Sequence, residues 1–156
     1  MGYRLEAVIG PAAVLSAAIG EQPLMVLAPL WQGLGLVPMT DEVFDAVHDG
    51  TPPGLPGFWK LPGGFERTLC SWSDQGPLAY VEAEFFGGVG TQAAAVWDGG
   101  RLALGPVVLG EVEPLPAAGT PISQALAHLG VRRGDHVDEF AAAGLGQHRG
   151  TEDWLP

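Results

Sequence analysis

Residues 78–109 read LAYVEAEFFGGVGTQAAAVWDGGRLALGPVVL. It holds three β-prone runs, 78–86, 91–97 and 102–109, rich in Val, Phe, Tyr, Trp and alternating small residues. Asp98-Gly99-Gly100 joins the second run to the third, and Asp-Gly between apolar runs is a strong hairpin signal. Gly87-Gly88-Val89-Gly90 joins the first to the second. Connections this short join antiparallel strands, because a parallel crossover takes roughly a dozen residues or more. The stretch therefore predicts a meander.

Helices and further strands extend from it in both directions. Upstream, 3–9 reads as a strand with Tyr3, Leu5 and Ala7 on one face and Arg4 and Glu6 on the other. Pro11 suits the first turn of a helix carrying Val14, Leu15, Ala18 and Ile19, with Gly20 as its stop. The apolar runs 24–27 and 34–37 read as two more strands. Thr40-Asp41-Glu42 opens a helix with a capping hydroxyl and two acids at the positive dipole end. Phe65, Leu69 and Trp72 share a face of another, ended by Gly76-Pro77. Downstream, Thr120 caps and Pro121 starts a helix bearing Ile122, Ala125, Leu126 and Leu129, and Asp135 is the expected cap of a last helix with Val137 and Phe140 inward. The order predicts an α+β fold: a mixed or mainly antiparallel sheet of about five to six strands with helices packed on one face.

The 156 residues suit a single globular domain over 1–156. Two segments stand apart within it, a Pro/Gly-rich loop at 51–64 and a polar C-terminal strap at 147–156. The 24 glycines and 14 prolines punctuate apolar runs, which is the pattern of tight turns rather than of disorder. Phe58 and Trp59 in the loop either plug into the core or present a binding surface.

Charge narrows the partners. Eighteen acidic residues face seven basic ones, a formal charge of −11. Nucleic acid needs clustered cations for counterion release, and only Arg132-Arg133 are adjacent, so nucleic acid and an anionic membrane surface are not expected partners. A basic protein partner is the complementary class. Cys70 is alone, no run reads as a spanning helix, and Glu6 sits where a signal peptide needs positive charge; a cytoplasmic location is expected.

Several constellations bear on chemistry. Gly88-Val89-Gly90-Thr91-Gln92-Ala93 matches G-x-G-x-x-A, but residues 91–97 are too short before Asp98-Gly99-Gly100 to supply the crossover helix of a dinucleotide site. Gly88 and Gly90 still let a ligand approach the backbone closely. Glu82 and Glu84 project from one strand face, as either a pair with split pKa values or an ordinary solvated face. Together with Gln92 and His148 they form the candidate acid/base set. His128, His136 and His148 match no metal-ligand spacing, so neither a metal nor a cofactor is expected. Cys70 reads as a small apolar residue. Arg149 and Asp153, in the strap beside Trp154, are candidate ligand-rim residues, with Arg149 a candidate ion-pair anchor.

Phe86-Gly87-Gly88-Val89-Gly90-Thr91-Gln92, Ala95-Val96-Trp97, Pro121-Ile122 with Leu129-Gly130-Val131, Asp138-Glu139-Phe140, and Gly144 to Arg149 with Thr151-Glu152-Asp153-Trp154 together resemble a group of small standalone bacterial proteins common in high-GC actinobacteria. The resemblance spans most of the chain and implies a bacterial, single-domain, intracellular protein. It transfers no catalytic residue. The leading functional expectation is a non-enzymatic binding protein, with an immunity-type toxin neutraliser as one concrete version. The alternative is a small-molecule-binding protein or enzyme using Glu82, Glu84, Gln92 and His148.

Overall fold

The computed structural model describes residues 2–20, 22–86 and 89–156, and in it the meander forms in sequence order. Strand β4 (Leu78–Phe86) pairs antiparallel with β5 (Val89–Asp98), and β5 with β6 (Arg101–Leu109). Gly99 and Gly100 turn the second hairpin at φ of 62° and 80°, left-handed values that a type I′ turn needs at both central residues. On the other side of β4 lies β1 (Gly2–Pro11), followed by β3 (Leu34–Pro38) and the two-residue β2 (Ala28–Pro29). The six-stranded order is β2-β3-β1-β4-β5-β6, and every neighbouring pair is antiparallel.

Helices cover both faces of this sheet, which corrects the expected one-sided packing. Leu5, Ala7, Ile9, Val81, Ala94 and Val96 face α4 (Pro121–His128) and α5 (Glu139–Ala143). Val8, Val37, Tyr80 and Trp97 face α1 (Ala12–Ile19), α2 (Asp41–Val47) and α3 (Phe65–Trp72). Strands buried on both faces need two covering layers. The sequence hid this because Glu6 and Glu82 mark what looks like a wet face, yet both are buried.

Three local expectations are also revised. Residues 24–27 form no strand; the short pairing falls at Ala28–Pro29, and the Leu27 side chain fills the space that a Cβ on Gly35 would take. Pro29 sits on the sheet edge, where a missing N–H costs no ladder bond. Pro11 ends β1 opposite Leu34 rather than opening α1. The last helix begins late: a turn closed by His136 N–H to Arg133 O intervenes, Asp138 rather than Asp135 caps it by accepting from Ala141 N–H at 2.9 Å, and Val137 is exposed.

The strap closes an edge. Pairing of β1 with β3 stops at Ala7 and Pro38, so the next outward backbone groups of β1 need other partners. Arg4 N–H donates to Arg149 O at 2.8 Å, and Glu6 N–H donates to Thr151 Oγ1 at 3.1 Å. A turn of 3-10 helix at Thr151–Trp154 then buries the Trp154 indole beneath the α4 and α5 layer. Arg149 anchors through its carbonyl; among the described residues its guanidinium makes no ion pair, contrary to expectation. No helix among the described residues is long and apolar enough to cross a membrane.

Candidate functional site

Two polar sites stand out, one on each side of the sheet. The first is a buried carboxylate pair. Glu6 and Glu82 are cross-strand partners on β1 and β4, and both point into the α1–α3 side. The loop 51–64 comes down on them because Phe58 and Leu61 are driven into that core, where Phe58 meets the Tyr80 ring edge-on at 5.3 Å. The intervening residues are thereby held over the carboxylates. Trp59 N–H donates to Glu82 Oε1 at 2.6 Å, and Lys60 N–H to Glu82 Oε2 at 2.8 Å. Tyr80 O–H donates to the same Oε2 at 2.8 Å.

Glu6 ties down more of the chain. Its Oε2 accepts from Arg4 Nε at 2.8 Å and from the Trp59 indole N–H at 3.1 Å. Its Oε1 accepts from the Thr151 hydroxyl at 3.2 Å and lies 3.7 Å from Lys60 Nζ. Lys60 Nζ also meets Asp41 Oδ1 at 2.6 Å. Burial pushes the Glu82 carboxyl up from 4.5 to about 7, against the opposing pull of its three hydrogen bonds. Burial likewise holds the Tyr80 hydroxyl well above its ordinary value. The hydrogen bond and charge of Glu6 raise Arg4, and Lys60 lowers Asp41. A small polar cavity of about 250 Å³ opens beside this network, lined by Arg4, Glu6, Asp41, Lys60, Thr151 and Glu152. Its cations already face carboxylates, so the cluster works first as a clamp on the loop and the strap.

The second site lies on the α4–α5 side, at the far end of β5 and β6. Gln92 is its base, 4% exposed. Pro121 brings no N–H to the start of α4, Thr120 Oγ1 accepts from Ser123 N–H, and Gln92 Oε1 takes the remaining early donor, Ile122 N–H, at 2.9 Å. The groove above Gln92 has a volume of about 350 Å³. Phe85, Leu109, Leu115 and Phe140 form its apolar walls, and Glu111, Glu113 and Asp138 its acidic rim; among the described residues no lysine or arginine lines it. Such a size falls at the small end of ligand pockets, about 300–1,000 Å³. Glu113 Oε1 accepts from Gly110 N–H and Asp138 Oδ1 from Ala141 N–H, leaving each a second oxygen for a ligand. Exposed Val112 and Leu115 extend the apolar surface along the adjoining loop.

The acid/base set is not brought together. Glu82 is sealed in the clamp, and Gln92 lies on the opposite face, its strand neighbour Ala93 being the residue opposite Glu82. Glu84 is exposed and meets Arg4 at 3.7 Å. His148 is exposed against the Trp154 ring, centroids 4.5 Å apart. The other histidines diverge: His48 stacks on Phe44, His128 ends α4, and His136 stands beside exposed Trp31. Among the described residues no three His, Cys, Asp or Glu side chains gather as metal ligands. Cys70 donates its thiol to Gly100 O at 2.9 Å and packs at the margin of the α1–α3 core.

Of the binding candidates, Phe58 is a core plug and Trp59 is 39% exposed with its indole N–H committed to Glu6. Gly90 lines the Gln92 groove, while Gly88 lies outside the described residues. Arg149 lines a shallow surface depression with Arg4 and Glu84, and Asp153 is exposed in the strap. Sequence reasoning missed Glu6, Tyr80 and Lys60 because nothing local marks them as partners. It missed Glu111 and Glu113 because they sit in a Pro-rich connection without periodicity. Compared with known protein families, curated proteins and solved structures, the chain matches none.

Proposed function

We propose that this chain is a non-catalytic binding protein that docks a cationic protein partner on the Gln92 groove. The observation that carries the reading is the lining of that groove: apolar walls, three rim carboxylates and, among the described residues, no cation, on a chain of net charge −11. Opposite charge steers and registers a basic partner, while apolar walls supply the desolvated centre. Lone Cys70 and the resemblance to small actinobacterial-type proteins support a bacterial cytoplasmic setting, in which an immunity-type toxin neutraliser is the concrete version.

The enzyme alternative, built on Glu82, Glu84, Gln92 and His148, has less support, since those four groups occupy separate environments.

A random peptide library displayed on phage and selected against the full chain tests the docking reading. Peptides combining Lys or Arg with apolar residues should be enriched. They should be lost on Glu111→Gln/Glu113→Gln but kept on Glu42→Gln/Asp45→Asn, which removes the same charge from the exposed face of α2. Equal loss on both variants, or enrichment without cationic residues, overturns the reading.

A further inference from the structure

The Gln92 side chain leaves one polar end unused. A buried amide ordinarily satisfies both its oxygen and its nitrogen. Here Oε1 is assigned by chemistry, since Ile122 N–H needs an acceptor, so Nε2 is the other end. Nε2 makes no hydrogen bond among the described residues, and it is not among the fully enclosed unpartnered atoms, which are Glu66 Oε2, Ser123 Oγ and Trp154 Nε1. Gln92 is almost wholly buried and lines the groove, so this unpartnered donor is available to whatever enters there.

A donor at the base and carboxylates at the rim ask different things of a ligand. The donor needs an uncharged or anionic acceptor, and Glu111, Glu113 and Asp138 need a cation. Resting on the docking reading above, we infer that the groove takes an extended lysine- or arginine-bearing peptide segment, with a backbone carbonyl on Gln92 Nε2 and the cationic side chain on the rim. A peptide carries both groups within one or two residues of each other, and the groove volume suits a segment of that size. A free polyamine carries only the cation.

The substitution Gln92→Glu separates the two demands. In mildly alkaline buffer, where the introduced carboxyl is ionised and lysine keeps its charge, it retains an acceptor for Ile122 N–H, removes the donor, and adds a negative charge to the groove. If the groove is only a cation site, the variant binds cations more tightly. If Nε2 holds a carbonyl, the variant binds the peptide more weakly, by about tenfold for one lost hydrogen bond in a desolvated site. The probe is a fluorescein-labelled, end-blocked Leu-Lys-Leu-Lys-Leu peptide, followed by anisotropy on the full chain, with spermidine as competitor. In parallel, the Gln92 side-chain amide signals of the ¹⁵N-labelled native chain are followed during titration with the unlabelled peptide, which needs no variant to fold.

Weaker peptide binding by Gln92→Glu, weak competition by spermidine and a downfield shift of the Gln92 amide protons sustain the inference. Unchanged or tighter binding, an unmoved amide signal, or spermidine competing as well as the peptide overturns it. Overturned in that way while Glu111→Gln/Glu113→Gln still abolishes peptide binding, the docking reading survives alone. Failure of the native chain to bind the peptide removes the inference, and the library selection then decides the docking reading separately.

Discussion

Glu6 and Glu82 stand directly opposite each other on β1 and β4, both shielded from water, and each is stabilised by donors far away in sequence. Glu82 holds Trp59 and Lys60 by their backbone N–H groups, and Glu6 holds the Trp59 indole and Thr151. The pair fastens the loop and the strap to the middle of the sheet.

Removing Glu82 should therefore loosen the loop. Glu82→Ala leaves two backbone N–H groups and the Tyr80 hydroxyl without acceptors. Each orphaned buried donor costs about 1–3 kcal/mol, so we expect a loss on the order of 3–5 kcal/mol in chemical denaturation and faster proteolysis within 51–64. Glu84→Ala, on an exposed side chain of the same strand face, should stay within about 0.5 kcal/mol. Similar effects for the two would mean that the clamp does not hold the loop.

The same carboxyl makes stability fall as pH rises. Folded Glu82 keeps its proton up to about 7, whereas the unfolded chain releases it near 4.5. Between those values the native state binds more protons, so its advantage is complete below 4.5, shrinks through this window and is gone above 7. The shift corresponds to about 3 kcal/mol. Asp41 and Asp49 are lowered and act in the opposite sense, but only at more acidic pH. The difference between native chain and Glu82→Gln isolates the contribution, and the carboxyl ¹³C signal of Glu82 should titrate near 7. A midpoint below 5 would contradict the assignment.

The meander was legible because alternation and an Asp-Gly turn are local signals. So were α2 and α4, whose Thr40 and Thr120 caps accept from Val43 and Ser123 N–H. The second helical layer was not, because it depends on Glu6 and Glu82 being neutralised by donors more than twenty residues distant in sequence. An acidic residue on a strand reads as wet unless its partners are known. Gln92 was named in the sequence, but for an acid/base role; that its oxygen completes the start of α4 depends on a contact thirty residues away.

The strap gives a contrast between two neighbours. The Thr151 hydroxyl both accepts from Glu6 N–H and donates to Glu6 Oε1, whereas Arg149 contributes its backbone carbonyl. Thr151→Val should cost about 1–3 kcal/mol, as a buried N–H and a carboxylate each lose a partner. Arg149→Ala should leave stability nearly unchanged, because the carbonyl remains. Deleting residues 147–156 removes the Trp154 indole as well and should lower Tm by several degrees or more. An unchanged Tm on deletion would show that β1 does not need the strap to close its edge.

The loop has a pivot at its base that tests whether it is a fixed part of the fold. Gly63 is buried, its carbonyl accepts from Asp49 N–H at 3.0 Å, and a Cβ there would run into Thr51 O, with Thr51 Oγ1 at 2.6 Å and Asp49 Oδ1 at 2.7 Å. Part of that obstruction is backbone, so it yields only if the chain at 49–51 moves. Overpacking of this kind costs about 1–3 kcal/mol. Gly54 differs: it is itself exposed, and its Cβ would meet the end of the half-buried Glu66 side chain, a flexible carboxyl rather than backbone. Gly63→Ala should therefore lower Tm by several degrees and Gly54→Ala by much less. Because 63–64 lead from Leu61 into α3, the strain at Gly63 should also reach the donors on Glu82, seen as shifts of the Trp59 and Lys60 amide signals. If Gly63→Ala melts like the native chain with those signals unmoved, the two ends of the loop are not packed as described.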